Sequence, residues 1–152
     1  MITKLSAKEF KKIEAHLEKY RNYKLGIENL QKQLNHMYPK TTATYDLSKE
    51  GSSGTFLFNS NTENFGIKRA ELSEAIEEEI AAYEIIINSI ESTLDLLNKK
   101  EKLYVELKYF DNLKNNRVAE GLDCSIKMMY NIRESFKEKA QLSLRNLLLL
   151  EN

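Results

Sequence analysis

The sequence contains few of the residues that interrupt helices, with one proline and five glycines among 152 residues. Its single cysteine, Cys124, cannot form an intramolecular disulfide, which fits a reducing cytoplasm. No apolar run approaches the roughly eighteen residues of a membrane span, and Met1–Lys4 precede no signal-like apolar core. These absences predict a helical cytoplasmic protein without a membrane segment.

Residue patterns of catalysis and of metal or cofactor binding are also scarce. His16 and His36 are twenty residues apart on one predicted helix, and one cysteine makes no zinc pattern. The segment Gly51-Ser52-Ser53-Gly54 lacks the lysine and the preceding strand of a phosphate loop. Consecutive glutamates at 77–79 point in different directions on a helix and favour a solvated face. We therefore expect neither an enzyme nor a bound metal or cofactor.

Two long segments carry apolar residues at spacings of three and four, which predicts an all-α protein. A capping box, Ser6 and Glu9, starts the first helix, about residues 6–37, and Pro39 follows its end. A second helix, about 67–97, follows a polar linker, 39–66, that contains the apolar Phe56-Leu57-Phe58. The apolar seams are Phe10, Ile13, Leu17, Tyr20, Tyr23, Ile27, Leu30, Leu34 and Met37, then Leu72, Ile76, Ile80, Tyr83, Ile87, Ile90, Leu94 and Leu97.

Charge is unevenly distributed along a chain whose formal net charge is zero. Residues 1–37 carry +4, residues 63–98 carry −7, and residues 99–152 carry +3. Opposite charges beside apolar seams favour an antiparallel coiled-coil-like hairpin of residues 1–97, although an intermolecular coiled coil fits equally well. Residues 98–152 form the second predicted domain.

Residues 115–133 predict a short helix, a tight turn at Asp123-Cys124, and a second helix with Ser125 as N-cap. The predicted inward positions are Val118, Ala119 and Leu122 on the first helix and Met129, Ile132, Phe136 and Ala140 on the second. The predicted outward positions are Lys127, Met128, Tyr130, Asn131 and Arg133, with Lys137 one turn later. These side chains suit phosphates and base edges in a DNA major groove, but an ordinary helical hairpin fits the same pattern.

The preceding segment, Asn98 to Phe110, predicts an amphipathic helix with Leu103, Leu107 and Phe110 on one side. With this lead-in, the last third of the chain resembles region 4 of bacterial sigma factors and the phage late-gene transcriptional regulators of the RinA and ArpU type. The residues that carry the resemblance are Glu101, Leu107-Lys108-Tyr109-Phe110, Val118-Ala119, Leu122, Ser125, Met129-Tyr130 and Ile132. Gly121 and Asp123-Cys124 depart from the family pattern.

The resemblance implies a sequence-specific, phage- or prophage-encoded regulator in a bacterial host. Its expected task is activation of late (packaging, structural or lysis) genes, with double-stranded DNA and host RNA polymerase as partners. In this interpretation Lys127, Met128, Asn131 and Arg133 face the groove. Asn131 reads an adenine, and Arg133 contacts a guanine or a phosphate. The expected phosphate contacts are Ser125, Tyr130 and Lys137, with Arg117 and Lys114 on the flanking backbone.

Two alternatives remain open at this stage. A small terminase subunit also joins a helix-turn-helix to coiled-coil helices. A helical adaptor would instead bind protein through the hairpin, and it predicts no salt-dependent DNA binding. The leucine-rich C-terminus needs a cover, either from the hairpin or from a second chain, which favours a homodimer. The leucines concerned are Leu142, Leu144 and Leu147–Leu150.

Overall fold

A computed structural model describes residues 3–37 and 59–150, with side chains in the second range described from residue 66. The chain is all-α, as predicted, and the described residues include no strand. We number the helices α1 Ala7–Glu18, α2 Tyr20–Met37, α3 Asn59–Leu96, α4 Lys99–Val105, α5 Asn115–Gly121 and α6 Ile126–Ser143. A π-helical turn, Glu106–Phe110, continues α4, and a 3-10 helix, Arg145–Leu150, follows α6.

The first predicted helix is two helices, because its backbone leaves the α-helical pattern at Lys19. Ser6 and Glu9 form the predicted capping box at its start. The Lys19 N–H lies 3.2 Å from the carbonyl oxygens of both Ala15 and His16, which is a tightened helical turn. The prediction of one unbroken helix over 6–37 is therefore wrong at Lys19.

The predicted linker, 39–66, is too long, because α3 already begins at Asn59. Residues 59–62 are Asn, Ser, Asn and Thr, and because these residue types are common in turns, the sequence predicts a loop here. The first turn of a helix also accepts such residues, since its N–H groups have no intrahelical partner. The rest of the linker, including Phe56-Leu57-Phe58, lies outside the described residues.

The chain divides into two compact units that differ from the predicted division at residue 97. One unit comprises Met1–Lys24 and Glu84–Asn152, and the other comprises Leu25–Tyr83. In the second unit, Ile76 and Ile80 are buried, and a Cβ placed on Gly26 would lie 3.1 Å from the ring of Tyr83. A helix side without a Cβ allows this close approach of an aromatic ring.

The first unit has an aromatic core that joins α1, α4, the π-helical turn and α6. The ring of Phe136 lies 6.5 Å from Phe10, 6.0 Å from Tyr104 and 6.0 Å from Tyr109. All four side chains are almost fully buried. Aromatic pairs at such centroid separations add to the stability that burial of their area supplies. This cluster therefore fixes α6 against the other helices of its unit.

The start of α2 holds the end of the π-helical turn. The ring of Tyr20 stacks on Phe110 with centroids 4.6 Å apart, and the Tyr20 hydroxyl donates to Glu91 at 2.6 Å. Arg21 donates to the carbonyl oxygen of Phe110 at 3.2 Å and pairs with Asp111 at 2.9 Å. The carbonyl at this helix end thus receives a side-chain partner.

None of the helices in the described part of the chain combines the length and apolar content that crossing a membrane requires. At the C-terminus, Leu144 and Leu147 are buried within the chain, whereas Leu142 and Leu149 are 60% and 77% exposed. The leucine-rich segment is therefore covered by its own chain only in part.

Candidate nucleic-acid interface

The connection from α5 to α6 follows the predicted order of helix, turn and helix. Asp123 has a φ of 54°, a left-handed conformation that aspartate tolerates better than most residues. The Cys124 N–H then bonds to the carbonyl oxygen of Ala119 at 3.1 Å. Ser125 is the N-cap of α6 and accepts from the Met128 N–H at 3.1 Å. Asp123 thus occupies the position where a glycine usually relieves strain.

Gly121, the other departure from the family pattern, lies against Leu107. A Cβ at Gly121 would be 2.6 Å from Cδ1 of Leu107, which is closer than two carbon atoms can approach without movement. The glycine therefore allows α5 to pack directly on the π-helical turn. Its position late in a helix is explained by this contact.

The buried face of α4 differs from the predicted one. Tyr104, Val105 and Tyr109 are fully buried, whereas Leu103 is exposed and Leu107 is half-buried. The π-helical turn, in which the Asp111 N–H bonds to the carbonyl oxygen five residues earlier at 2.8 Å, affects only the residues from Glu106 onward, because Leu103, Tyr104 and Val105 precede it. One extra residue in this turn rotates the following side chains, which an unbroken 3.6-residue period does not predict.

Four of the predicted outward residues lie on the exposed first two turns of α6. Lys127 and Asn131 are exposed, and Met128 and Tyr130 retain 47% and 43% exposure. The inward stripe Met129, Ile132, Phe136 and Ala140 is buried, as are Val118, Ala119 and Leu122. The outward side of α6 therefore presents the ammonium group of Lys127 and the amide of Asn131. Beside them lie the apolar side chain of Met128 and the ring and hydroxyl of Tyr130.

A chain of hydrogen bonds orients the Tyr130 hydroxyl. Lys108 donates to Oδ1 of Asn115 at 2.8 Å, and Nδ2 of Asn115 donates to the Tyr130 hydroxyl at 3.2 Å. Because an ammonium group has donors only, it fixes which end of the Asn115 amide faces Tyr130. The hydroxyl accepts in this chain, so its own proton is available to a ligand.

Arg133 lies apart from the other predicted groove residues. At about 100° per residue, it is about 120° around α6 from Lys127. Its side chain is 32% exposed, pairs with Glu134 at 3.7 Å, and has Glu14 and the tyrosines Tyr104 and Tyr109 as electrostatic neighbours. We call the side of α6 that faces α1, which holds Arg133, Phe136 and Lys137, the α1 flank. Lys137 on it is half-buried, with Nζ 5.1 Å from the ring centroid of Phe10.

The remaining predicted contacts are spread around the turn and α5. Ser125 is exposed, although its hydroxyl already caps α6. Lys114 is exposed at the N-cap position of α5, and Arg117 is exposed and forms a 3.4 Å ion pair with Glu120. The exposed group thus comprises Ser125, Lys127, Met128, Tyr130, Asn131, Lys114 and Arg117. Arg133 and Lys137 are half-buried on the α1 flank, where Lys137 follows Tyr130 after about two turns on nearly the same side of α6.

A buried carboxylate, which the sequence did not single out for a structural role, holds the opposite side of α6. Glu101 is 1% exposed and accepts from the Ser135 hydroxyl, from Lys139 at 2.7 Å and from the Asn98 N–H at 2.9 Å. Burial acts to raise the pKa of Glu101, but the hydrogen bonds from Lys139 and Ser135 outweigh it and lower the pKa below its ordinary value. We call the side of α6 that holds Met128, Ser135 and Lys139 the α4 flank.

The outward side of α6 changes charge along its length. Lys127 and Asn131 lie in the first two turns, and the exposed carboxylates Glu134 and Glu138 follow them on the same side. Lys127 attracts phosphate groups, whereas the two glutamates repel them. The first two turns are therefore the part of α6 best suited to nucleic acid.

Comparisons with known proteins found no match: neither a family model, nor a curated protein, nor a solved structure matches this chain.

Proposed function

We propose that this protein is a site-specific DNA-binding regulator of transcription that inserts the first two turns of α6 into a major groove. The observation that carries the proposal is the exposed surface of Lys127, Tyr130 and Asn131 at the start of a capped helix. An α-helix about 10–12 Å wide fits a major groove about 12 Å wide. Asn131 can pair with both groups of an adenine edge, which gives sequence preference.

Phosphate contacts set the position of such a helix in the groove. The Tyr130 hydroxyl accepts from Asn115, so it donates its proton to a phosphate oxygen in the proposed complex. Lys127, Lys114 and Arg117 supply exposed positive charge nearby in the chain. Residues 98–133 contain eight Lys and Arg against five Asp and Glu, a modest excess for DNA binding.

The proposed targets follow from the resemblance of the last third of the sequence to RinA- and ArpU-type regulators. They are late-gene promoters of a phage or prophage, where the protein activates transcription next to host RNA polymerase. We propose that the protein acts as a homodimer, because two modest interfaces joined together bind more tightly than one. The exposed Leu142 and Leu149 offer apolar surface for such an association.

The test compares binding of the purified protein to promoter-region DNA from its own genome with binding to random duplex over a salt series. We expect a preferred site, weaker binding at higher salt, and a loss of about 1–3 kcal/mol in preference for Asn131→Ala. Asn88→Ala is the matched control, because Asn88 is exposed on α3. Arg133→Ala is a poorer test, since Arg133 is half-buried and its loss changes packing.

A lack of salt-dependent binding, or equal losses for Asn131→Ala and Asn88→Ala, would rule out this function. The exposed leucines then favour a second candidate, a helical adaptor that binds protein through its C-terminal segment. The mass in solution adds a further distinction, since a ring of about eight or more subunits indicates a small terminase and a monomer or dimer indicates the regulator.

A further inference from the structure

A cleft lies between the start of α4 and the α4 flank of α6. Its volume is about 310 Å³, and its lining includes Lys100, Met128, Asn131 and Ser135. Asn131 belongs to the exposed surface that the proposed function assigns to DNA, and Met128 is another exposed residue in the first two turns of α6. Lys100 was given no role on sequence grounds. The cleft therefore brings an unassigned ammonium group to the edge of the proposed reading surface.

The charge of Lys100 is available to a ligand. Its Nζ donates to the carbonyl oxygen of Leu122 at 3.3 Å, and no carboxylate pairs with it among the described residues. An ammonium group has three donors, so two remain after this bond. The nearest carboxylate of the cleft, that of Glu101, is already engaged by Lys139 and Ser135. The cleft thus combines one ammonium group that has free donors with one carboxylate that is already paired.

The position of Lys100 selects a phosphate rather than a base as its ligand. Met128 and Tyr130 are about 160° apart around α6, so they lie on opposite sides of the outward surface. A helix that fills a major groove presents both sides to the two phosphate backbones. The Tyr130 side carries Asn115 and Lys108 behind it. The Met128 side carries Lys100.

We infer that Lys100 binds a backbone phosphate of the DNA strand on the Met128 side of α6, opposite the strand that Tyr130 contacts. This inference rests on the proposed DNA binding. It makes α4 a direct part of the interface and gives the complex a contact on each wall of the groove. Lys102, two residues further along α4, points about 200° away from Lys100 and has no part in the contact.

The test is binding of the full chain to a fluorescein-labelled random-sequence duplex over a KCl series from about 50 to 200 mM. Lys100→Gln removes the charge and keeps most of the stem. We expect it to reduce the slope of log K against log salt by about 0.9, the value for one phosphate contact. Lys100→Arg should keep the slope of the natural protein, and so should the control Lys102→Gln.

Lysine-reactive labelling of the natural protein, read by mass spectrometry, gives a second measurement that needs no folded variant. We expect the duplex to protect Lys100 from modification and to leave Lys102 reactive. Equal slopes for Lys100→Gln and the natural protein, equal losses for both Gln variants, or equal reactivity with and without DNA would overturn the inference. If Asn131→Ala still abolishes site preference in that case, only the Lys100 contact fails. Absence of salt-dependent binding by the natural protein overturns the proposed function as well.

Discussion

The two flanks of α6 are held by different chemistry. On the α1 flank, the rings of Phe10, Tyr104 and Tyr109 surround Phe136, and the Tyr109 hydroxyl donates to Glu14 at 2.7 Å. On the α4 flank, one buried carboxylate, that of Glu101, collects three hydrogen bonds. The stability that buried apolar area supplies changes little with solution conditions. The stability that a buried carboxylate supplies requires that the group is ionised and that all its hydrogen-bond partners are in place. Substitutions and pH should therefore affect the two flanks differently.

The largest effect is expected from Phe136→Ala on the aromatic side. Phe136 is 1% exposed and touches three other rings, so its loss leaves a cavity that the aromatic neighbours cannot fill. We expect the free energy of unfolding to fall by about 3–5 kcal/mol, measured by urea denaturation. Leu96→Ala, at a position on α3 that is 64% exposed, is the control and should change it little. Similar losses for the two variants would contradict a core centred on Phe136.

Glu101→Ala tests the α4 flank. It removes the acceptor of Ser135, Lys139 and the Asn98 N–H, and we expect a loss of about 2 kcal/mol in unfolding free energy. The loss stays below that of a fully buried pair because Lys139 is partly exposed and regains water. Glu101→Gln keeps the shape and should lose less than Glu101→Ala. A neutral Glu101→Ala would show that the network does not hold α6.

The two flanks should weaken at opposite ends of the pH scale. The pKa of Glu101 is lowered below its ordinary 4.5, so its contribution is present above that value and is lost as pH falls below it. Burial raises the pKa of Tyr109 above its ordinary 10.0. The contribution of its protonated hydroxyl to the free energy of unfolding is therefore present below pH 10 and is lost as the pH rises above 10. Urea denaturation from pH 3 to 11 checks both limits.

Matched variants assign each limit to its flank. Glu101→Gln should remove part of the acid loss, and Tyr109→Phe should remove part of the alkaline loss. An unchanged pH profile in both variants would show that other groups set the limits.

Tyr109→Phe should give the smallest of these effects at neutral pH. The ring stays in the aromatic core, and the hydroxyl that donates to Glu14 is lost, which costs about 1 kcal/mol of unfolding free energy. Tyr130→Phe is the control, because that hydroxyl is on the exposed side and bonds only to Asn115 among the described residues. A loss as large as that of Phe136→Ala would mean that the hydroxyl, rather than the ring, organises the α1 flank.

Periodic and local features were predictable from the sequence. The buried stripe of α6 and the Ser125 cap follow from spacing and from the first residues of one helix, and the structure contains both. The break at Lys19 and the start of α3 at Asn59 were not predictable in this way, because propensities near helix ends fit more than one structure.

The features that position the candidate site depend on distant partners. Glu101 is buried because Ser135 and Lys139 reach it from residues 34 and 38 positions later. No local pattern marks such a carboxylate, and composition alone places it on the surface. The position of Arg133 was missed for a related reason, since a face defined by the spacing of five outward residues between positions 127 and 133 does not show where a neighbouring helix lies. The burial of Glu101 and the position of Arg133 both depend on the helices that pack against α6.

The π-helical turn at Glu106–Phe110 also bears on how this chain can be aligned with others. A π turn contains one residue more than the α-helical turn it replaces, so it is equivalent to an insertion of a single residue. An alignment to a regular α-helix here needs a one-residue gap; without it, Tyr109 would be matched to the wrong position. The same reasoning predicts that deleting one residue in this turn would leave a continuous helix whose Tyr109 no longer meets Glu14.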